Sequence, residues 1–271
     1  MICAWRAPGL TRYAQDSLMR ARGTLTAPED IVIVAIDEPS ISLLGQFPWK
    51  RELTARLLNT ISPSQPKAIA LNVLYAEPTE PGDDQSLAEA VRQAGNVVLG
   101  EQLIEDRISP GWTHSSWLGL VSEIKNAAAG TGHVHVPTEQ DGTARELMLR
   151  LADSDGSPRW ALALETIRVG DRIEEEQLIE TDQFLRIGTR RLPFIPGEKY
   201  FPLNVSDTVS RLTTVQPLRM TIDYIGPTGS FSPQTYSFAD VLDGRVSPER
   251  FRGKYVLIGA TAATLGDRIA T

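Results

Sequence analysis

The chain has 271 residues, of which 41% are hydrophobic and 23% are charged, so it can bury a substantial core and lacks the composition of a disordered protein. Its net charge of −7 excludes a general nucleic-acid binder, because such proteins need a basic surface. Cys3 is the single cysteine, which excludes an intrachain disulfide and a cysteine-based zinc site.

The first 28 residues predict a basic helix. They carry four arginines and one aspartate, a charge of +3 that leaves −10 for the rest of the chain. Apolar residues at helical spacing share one face: Leu10, Ala14, Leu18, Ala21 and Leu25. We expect a helix over about 5–25, either beside a membrane or as an ordinary surface helix with solvated arginines.

No apolar run reaches the roughly 18–20 residues that a membrane span needs, and no signal peptide is recognisable. This pattern is compatible with a soluble cytoplasmic protein. It is equally compatible with a segment that lies between membrane helices.

The next 75 or so residues predict a β-α-β-α-β series with short connections, which is typical of a parallel sheet. The strands are expected at 31–36, 68–76 and 96–100. Ser40 is a candidate cap for a short helical turn, Pro48 begins a longer helix, and Asp83 or Asp84 caps the next one.

Residues 101–225 predict a β-rich insert. Its first part, 101–130, reads as irregular and carries Trp112 and Trp117. Further elements are expected in chain order: strands at 132–136 and 146–151, a helix from Ser157-Pro158, a hairpin of 184–187 with 191–195 around Gly188, and a strand at 219–226. A short helix at 238–244 and a last apolar strand at 255–260 complete the chain. The prediction is one α/β domain over 1–271, with a central, mainly parallel sheet, flanking helices and the inserted β-rich portion.

Polar residues lie at or after the C-terminal ends of three predicted strands, where parallel α/β sheets bind ligands. They are the candidate ligand-binding residues: Asp37, Glu38, Asn72, Tyr75, Thr261, Asp267 and Arg268. The last loop offers backbone amides and one guanidinium to a polar or anionic ligand. The alternative is structural: Asp37 is a cap at a strand end beside a surface Glu38, and Asp267 caps a turn and pairs with Arg268 or a neighbour to hold the loop.

Catalytic and cofactor motifs are not recognisable. No GxGxxG, GxxxxGK[ST] or GxSxG pattern is present, so we expect no cofactor and assign no catalytic residue. His133 and His135 share a strand face and, with Asp141 or Glu139 nearby, can form a partial metal site, although spacing fixes no third ligand. We therefore assign no metal site, and the simpler interpretation is a pair of solvent-facing histidines.

Five blocks of sequence resemble the second type of CHASE domain, an extracytoplasmic sensory domain associated with cyclases and histidine kinases. The resemblance runs from about Asp16 to Thr271 and is weakest over 101–130 and 171–215. The best-matching positions are Asp37, Gly45, Pro48, Trp49, Glu77, Pro78, Asp84, Gly132, Asp141, Gly142, Arg145, Tyr224, Gly226, Pro227, Gly259, Ala260, Thr261, Gly266 and Asp267. The family commonly has Asp where this chain has Asn72 and Phe where it has Tyr75, which weakens any cation site there.

The resemblance implies the sensor domain of a bacterial membrane-tethered receptor. The domain would be periplasmic, homodimeric, not itself an enzyme, and responsive to a small-molecule ligand of unknown identity. The parent would carry a cyclase or protein-kinase output domain. The family domain usually continues with a further strand and helix, so we expect both after Thr271. Two alternatives remain open: a soluble metal-assisted hydrolase using Asp37, Glu38, His133 and Asp267, and a structural spacer without a ligand.

Overall fold

The computed structural model describes residues 8–109, 112–139, 141–152, 157–181, 183–194 and 217–265. These residues form the helices α1 (Pro8–Arg22), α2 (Glu38–Leu44), α3 (Arg51–Ile61), α4 (Pro81–Ala94), α5 (Ser122–Ala127), α6 (Leu162–Gly170) and α7 (Phe238–Leu242). They form the strands β1 (Ile31–Ile36), β2 (Ala68–Asn72), β3 (Val97–Ser109), β4 (Trp112–Leu118), β5 (Gly130–His133), β6 (Glu146–Ala152), β7 (Pro158–Trp160), β8 (Leu178–Glu180), β9 (Phe184–Ile187), β10 (Arg190–Pro193), β11 (Leu218–Thr221), β12 (Thr235–Ser237) and β13 (Tyr255–Ala260).

A seven-stranded sheet forms the centre of the molecule. Its order is β12-β1-β13-β2-β3, and β3 then pairs with both β5 and β4. All of these pairs are parallel except β3–β4. The predicted α/β class with a mainly parallel central sheet is therefore confirmed.

Continuous apolar strands give the sheet two covered faces. The larger core packs β1, β2 and β13 against α3, α4 and α7, with Leu57, Leu71 and Phe238 fully buried in it. On the other face, Leu162 of α6 packs against Ala70 and Val98. Two three-stranded antiparallel sheets, β11-β6-β7 and β10-β9-β8, complete the fold.

Several local predictions were wrong. The described part of 101–130 contains regular elements: β3 runs on to Ser109, β4 pairs with it in antiparallel fashion, and α5 follows. The strand expected at 132–136 is β5 of the central sheet and ends at His133, whereas 146–151 belongs to β6 of a different sheet. The segment 158–160 is a strand, and α6 begins only at Leu162. The strand expected at 219–226 ends at Thr221, whereas the hairpin around Gly188 is confirmed.

The helix caps also differ from prediction. Asp37, rather than Ser40, caps α2, and its carboxylate accepts from the Ser40 N–H at 3.0 Å. Asp83 lies inside the first turn of α4 but accepts from the backbone N–H groups of Arg51 and Glu52, at 2.9 and 2.8 Å. It therefore caps the neighbouring helix α3 across 32 positions of sequence. Within the described residues, no helix has the length and apolar character of a membrane span.

Candidate functional site

The carboxyl ends of the first and last strands lie side by side at one edge of the central sheet. Ile36 of β1 is in register with Ala260 of β13, and Gly259 of β13 is in register with Asn72 of β2. Parallel α/β sheets bind ligands at the carboxyl ends of their strands, because the loops diverge there and leave a crevice. β13 is the last of the described strands in sequence yet lies between β1 and β2, so the connections diverge at this point.

A cleft of about 580 Å³ opens at this edge. Its lining residues come from strand ends and the loops that follow them: Ile36, Phe47, Pro48, Asn72, Val73, Leu74, Gln102, Val134, His135, Val136, Ala260 and Leu265. We call it the strand-end cleft. Among the described residues, none of its lining side chains is an acidic residue, a lysine or an arginine. Asn72, Gln102 and His135 are the side chains that offer hydrogen bonds, and the other lining residues are apolar.

Asp37 and Glu38 hold the loops around the cleft and are not among its lining residues. Asp37 accepts from Ser40 and, at 2.9 Å, from the hydroxyl of Ser237, so its carboxylate joins α2 to β12. Glu38 accepts from the Ala263 N–H at 2.6 Å and fixes the loop after β13. Both carboxylates are thus used structurally, as the capping interpretation of Asp37 anticipated.

The other candidate residues separate into different places. Asn72 lines the strand-end cleft. Thr261 lies beside it, and its N–H donates to the Ile36 carbonyl at 3.0 Å. Tyr75 is buried, its hydroxyl donates to Thr54 at 3.2 Å, and burial raises its pKa to about 12. Asp267 and Arg268 lie outside the described residues.

Tyr75 belongs to a second cleft, of about 890 Å³, over the starts of α3 and α4. Arg51 forms a buried ion pair with Asp84, donates to the Glu77 carbonyl and lies 5.4 Å from the centre of the Tyr75 ring. Desolvation is the larger influence on Arg51 and lowers its pKa. These contacts hold α3 against α4. They give the polar residues of this second cleft a structural role that needs no ligand.

Of the residues of the hydrolase alternative, Asp37 and Glu38 do not converge with His133. Asp37 and Glu38 follow β1, and His133 lies on β5. Three strands, β13, β2 and β3, lie between β1 and β5 in the sheet. Four strand spacings of about 4.8 Å place these residues roughly 19 Å apart, far beyond the reach of shared metal ligands. Within the described residues, no group of three or more His, Cys, Asp or Glu side chains is arranged to hold a metal.

His133 is buried, not solvent-facing as expected. It is 2% exposed, and neither ring nitrogen has a hydrogen-bond partner among the described residues. Desolvation, with a smaller contribution from His135, lowers its pKa to about 3. Its ring lies 6.3 Å from that of Trp117, and it is therefore a neutral core residue at neutral pH.

Arg145 makes a cluster whose contacts sequence reasoning did not find. The guanidinium donates twice to Asp16 of α1, at 3.0 and 2.9 Å, and also to Glu139 and Asp141. Hydrogen bonds from Arg145 are the main cause that lowers the pKa of Asp16, and they lower the pKa of Asp141 to about 2. We call Arg145 with these three carboxylates the Arg145 clamp. The resemblance marked Asp141 and Arg145 as matching positions, but nothing in the sequence indicated Asp16 as their partner.

The clamp and the strand-end cleft are joined by one short stretch of chain. Val134, His135 and Val136 line the cleft, and Glu139, three residues later, binds Arg145. The turn is closed by hydrogen bonds from the N–H of Glu139 to Thr143 and from that of Gly142 to Glu139, at 3.0 and 2.9 Å. Gly142 has a φ of +77°, which an L side chain rarely adopts.

Comparison with known families gives one match. A family model described as the CHASE2 domain matches residues 1–271, the whole chain. No curated protein and no solved structure matches the chain.

Proposed function

Because the chain belongs to the CHASE2 domain family, whose members are extracytoplasmic sensory domains, we propose that it is the input domain of a bacterial membrane-bound receptor. The family is sensory rather than catalytic, and its location is outside the cytoplasm. The proposal adds a ligand site, a route of transmission and a parent receptor.

We propose that the strand-end cleft binds the signal. The observation that carries this proposal is the convergence of three parallel strand ends on a cleft whose described lining residues include no Asp, Glu, Lys or Arg. Its volume of about 580 Å³ is within the range typical of small-molecule pockets. Among the described residues, an apolar wall with the hydrogen-bonding side chains of Asn72, Gln102 and His135 fits a small uncharged solute that carries hydroxyl or amide groups, because a carboxylate or ammonium ligand would meet no oppositely charged side chain among them.

The route of transmission runs from the cleft to α1. A ligand that contacts Val134–Val136 shifts the turn that carries Glu139 and Asp141, and with it the partners of Arg145. Arg145 in turn holds Asp16, so the ligand changes how firmly α1 is attached to the domain. A ligand acts in this way only if it binds one arrangement of α1 better than the other.

In the parent protein, α1 would follow a membrane helix, and the sensor would lie in the periplasm. The output would be an adenylate or guanylate cyclase or a protein kinase in the cytoplasm. This part of the proposal depends on the family and on the basic charge at the start of the chain.

A thermal-shift screen with uncharged solutes such as sugars, polyols, nucleosides and amides tests the cleft. A ligand that binds only the folded chain must raise its melting temperature. For each such ligand we expect Asn72→Ala or Gln102→Ala to weaken affinity about three- to tenfold, the loss of one neutral hydrogen bond. Asn59→Ala is the control, because Asn59 is exposed on α3 away from the cleft.

Two results contradict the proposal. If the ligands found bind the Asn72 and Gln102 variants as tightly as the unaltered chain, the cleft is not the site. If no class of uncharged solute raises the melting temperature, the spacer alternative replaces it.

A further inference from the structure

A third cleft, of about 540 Å³, lies between α1 and the body of the domain, and we call it the α1 cleft. Gln15, Asp16 and Met19 line it from the helix, and Arg145 and Ile222 are among the residues that line it from the other side. Among the described residues, no side chain of α1 belongs to a hydrophobic core cluster. The helix is therefore attached through polar contacts, beside a cleft of the size that small molecules occupy.

The guanidinium of Arg145 uses its five N–H donors on three carboxylates. Three of the hydrogen bonds go to the turn before β6: Nη1 donates to Glu139 at 3.0 Å and to Asp141 at 3.2 Å, and Nη2 donates to Asp141 at 2.9 Å. The other two, from Nε and Nη2, go to the two carboxylate oxygens of Asp16 at 3.0 and 2.9 Å. The turn thus fixes the guanidinium, and Asp16 occupies the pair of donors that the turn leaves over.

That pair of donors has the geometry that recognises a carboxylate, because two parallel N–H groups of a guanidinium match its two oxygens. The Arg145 side chain is 8% exposed, so departure of Asp16 would leave two buried donors that need another acceptor. A free carboxylate supplies both hydrogen bonds and leaves the number of charges around Arg145 unchanged. The hydrogen bond from Arg145 lowers the pKa of Asp16, which shows that the position favours a carboxylate anion even with Glu139 and Asp141 close by.

The remainder of the α1 cleft accommodates the body of such a ligand. Met19 and Ile222 give it apolar contacts, and Gln15 and Thr143 bring hydrogen-bonding side chains to the same cleft. A carboxylic acid with a short body that is apolar or carries a hydroxyl group fits this lining.

We propose that the α1 cleft binds a small carboxylic acid as its anion, and that the ligand carboxylate takes the place of Asp16 on Arg145 and releases the middle of α1. Arg22 keeps the end of the helix attached, because it donates to Asp223 and to the carbonyl of Tyr224. Asp16 belongs to the same chain and competes at an effective concentration on the order of millimolar, so the unaltered chain responds to carboxylates at that concentration or above. This site goes beyond the proposed function, since it is separate from the strand-end cleft and takes a charged ligand.

Removing the Asp16 carboxylate opens the site to a free one. In Asp16→Ala, propionate should raise the melting temperature more than chloride does at the same ionic strength. The affinity for propionate should exceed that of the unaltered chain about tenfold or more, because Asp16 no longer competes with two charge-assisted hydrogen bonds. Propionamide, which lacks the charge, should not stabilise the variant in this way.

Asp223→Ala is the matched control. It removes a carboxylate from the other attachment of α1 and leaves Arg145 occupied by Asp16, so it should not gain affinity for propionate. Arg145→Lys keeps the positive charge but loses the paired donors, and it should not prefer propionate to chloride. Asp16 is half-buried and Asp223 is exposed, so both alanine variants should fold even if Arg145→Lys does not.

Three results overturn the proposal. The first is that propionate stabilises Asp16→Ala no more than chloride does. The second is that Asp223→Ala gains as much affinity as Asp16→Ala, which would place binding elsewhere. The third is that propionamide is as effective as propionate, which would exclude recognition of a carboxylate.

Amide hydrogen exchange in α1 tests the release of the helix. Saturating propionate should accelerate exchange in α1 of the unaltered chain, whereas in Asp16→Ala the exchange should already be fast and should not rise further. Unchanged exchange in the unaltered chain, at a propionate concentration that raises its melting temperature, would contradict displacement of Asp16. These measurements do not involve Asn72 or Gln102, so failure of this proposal leaves the proposed sensory site standing.

Discussion

Acid should destabilise this protein through His133 in particular. The imidazole is buried without a hydrogen-bond partner among the described residues, and its pKa is lowered from 6.5 to about 3. A group whose folded-state pKa is depressed stabilises the fold above its unfolded pKa, and that contribution is lost as pH falls. Between pH 6.5 and about 3, His133 binds a proton in the unfolded chain but not in the folded chain.

The size of the effect follows from the shift. At pH 4.5, two units below the ordinary pKa, the proton favours the unfolded state by about 2.7 kcal/mol. His133→Leu removes the titrating ring and, since neither ring nitrogen is hydrogen-bonded within the described structure, breaks no hydrogen bond there. The difference in unfolding free energy between the variant and the unaltered chain should therefore grow by about 2.7 kcal/mol from pH 7.5 to pH 4.5.

Urea denaturation at a series of pH values measures this difference. Carboxylates also titrate over the range, and comparing the two proteins at each pH cancels their contribution. His135→Gln serves as the control and should retain most of the acid sensitivity, because desolvation rather than His135 is the larger cause of the shift. If the unaltered chain and His133→Leu lose stability in parallel on acidification, the reasoning is wrong.

Three further substitutions test the packing that positions the site, each by urea denaturation. Asp84→Ala leaves Arg51 buried without its partner and should lower the free energy of unfolding by about 3–5 kcal/mol. The double variant Asp84→Leu with Arg51→Met should recover most of this loss, and a loss below about 1 kcal/mol for Asp84→Ala would contradict the buried pair. Asp83→Ala removes the acceptor of two N–H groups at the start of α3 and should cost about 1 kcal/mol, and no loss would show that water replaces the cap. Gly132→Ala puts a Cβ 2.6 Å from the Cα of Leu162 and should destabilise the fold by about 1–3 kcal/mol. Gly119→Ala is the control and should not destabilise it, because a Cβ at Gly119 has no atom within 4 Å; equal effects of the two substitutions would refute the close approach at Gly132.

The sequence was sufficient to predict the central sheet because its strands are short, continuously apolar segments. IVIVAI and YVLIGA are strands over the predicted residues, and both end at the same edge. The extension of β3 was not predicted because polar and charged residues after Glu101 conceal the alternation of buried and exposed side chains that indicates a strand. In the structure, Gln102 is exposed and Leu103 is buried. That part of the strand leaves the parallel arrangement and pairs only with β4.

The contacts that organise the candidate site could not be predicted, because they join residues distant in sequence. Asp16 and Arg145 are 129 positions apart, and each alone reads as an ordinary surface charge. Asp83 has the local pattern of a cap for its own helix, yet it caps α3 because α3 and α4 begin side by side. Asn72 was predicted from its place at a strand end, whereas Gln102 and His135 enter the cleft through the unpredicted course of β3 and the loop after β5.

Pulsed electron paramagnetic resonance between α1 and the domain tests the central claim, that a ligand in the strand-end cleft changes the attachment of α1. Spin labels at Arg20→Cys and Arg250→Cys, both exposed, report their separation in a Cys3→Ser background diluted with unlabelled chain. With a solute whose binding depends on Asn72, the account predicts a shifted distance distribution. An unchanged distribution at saturating solute would contradict it.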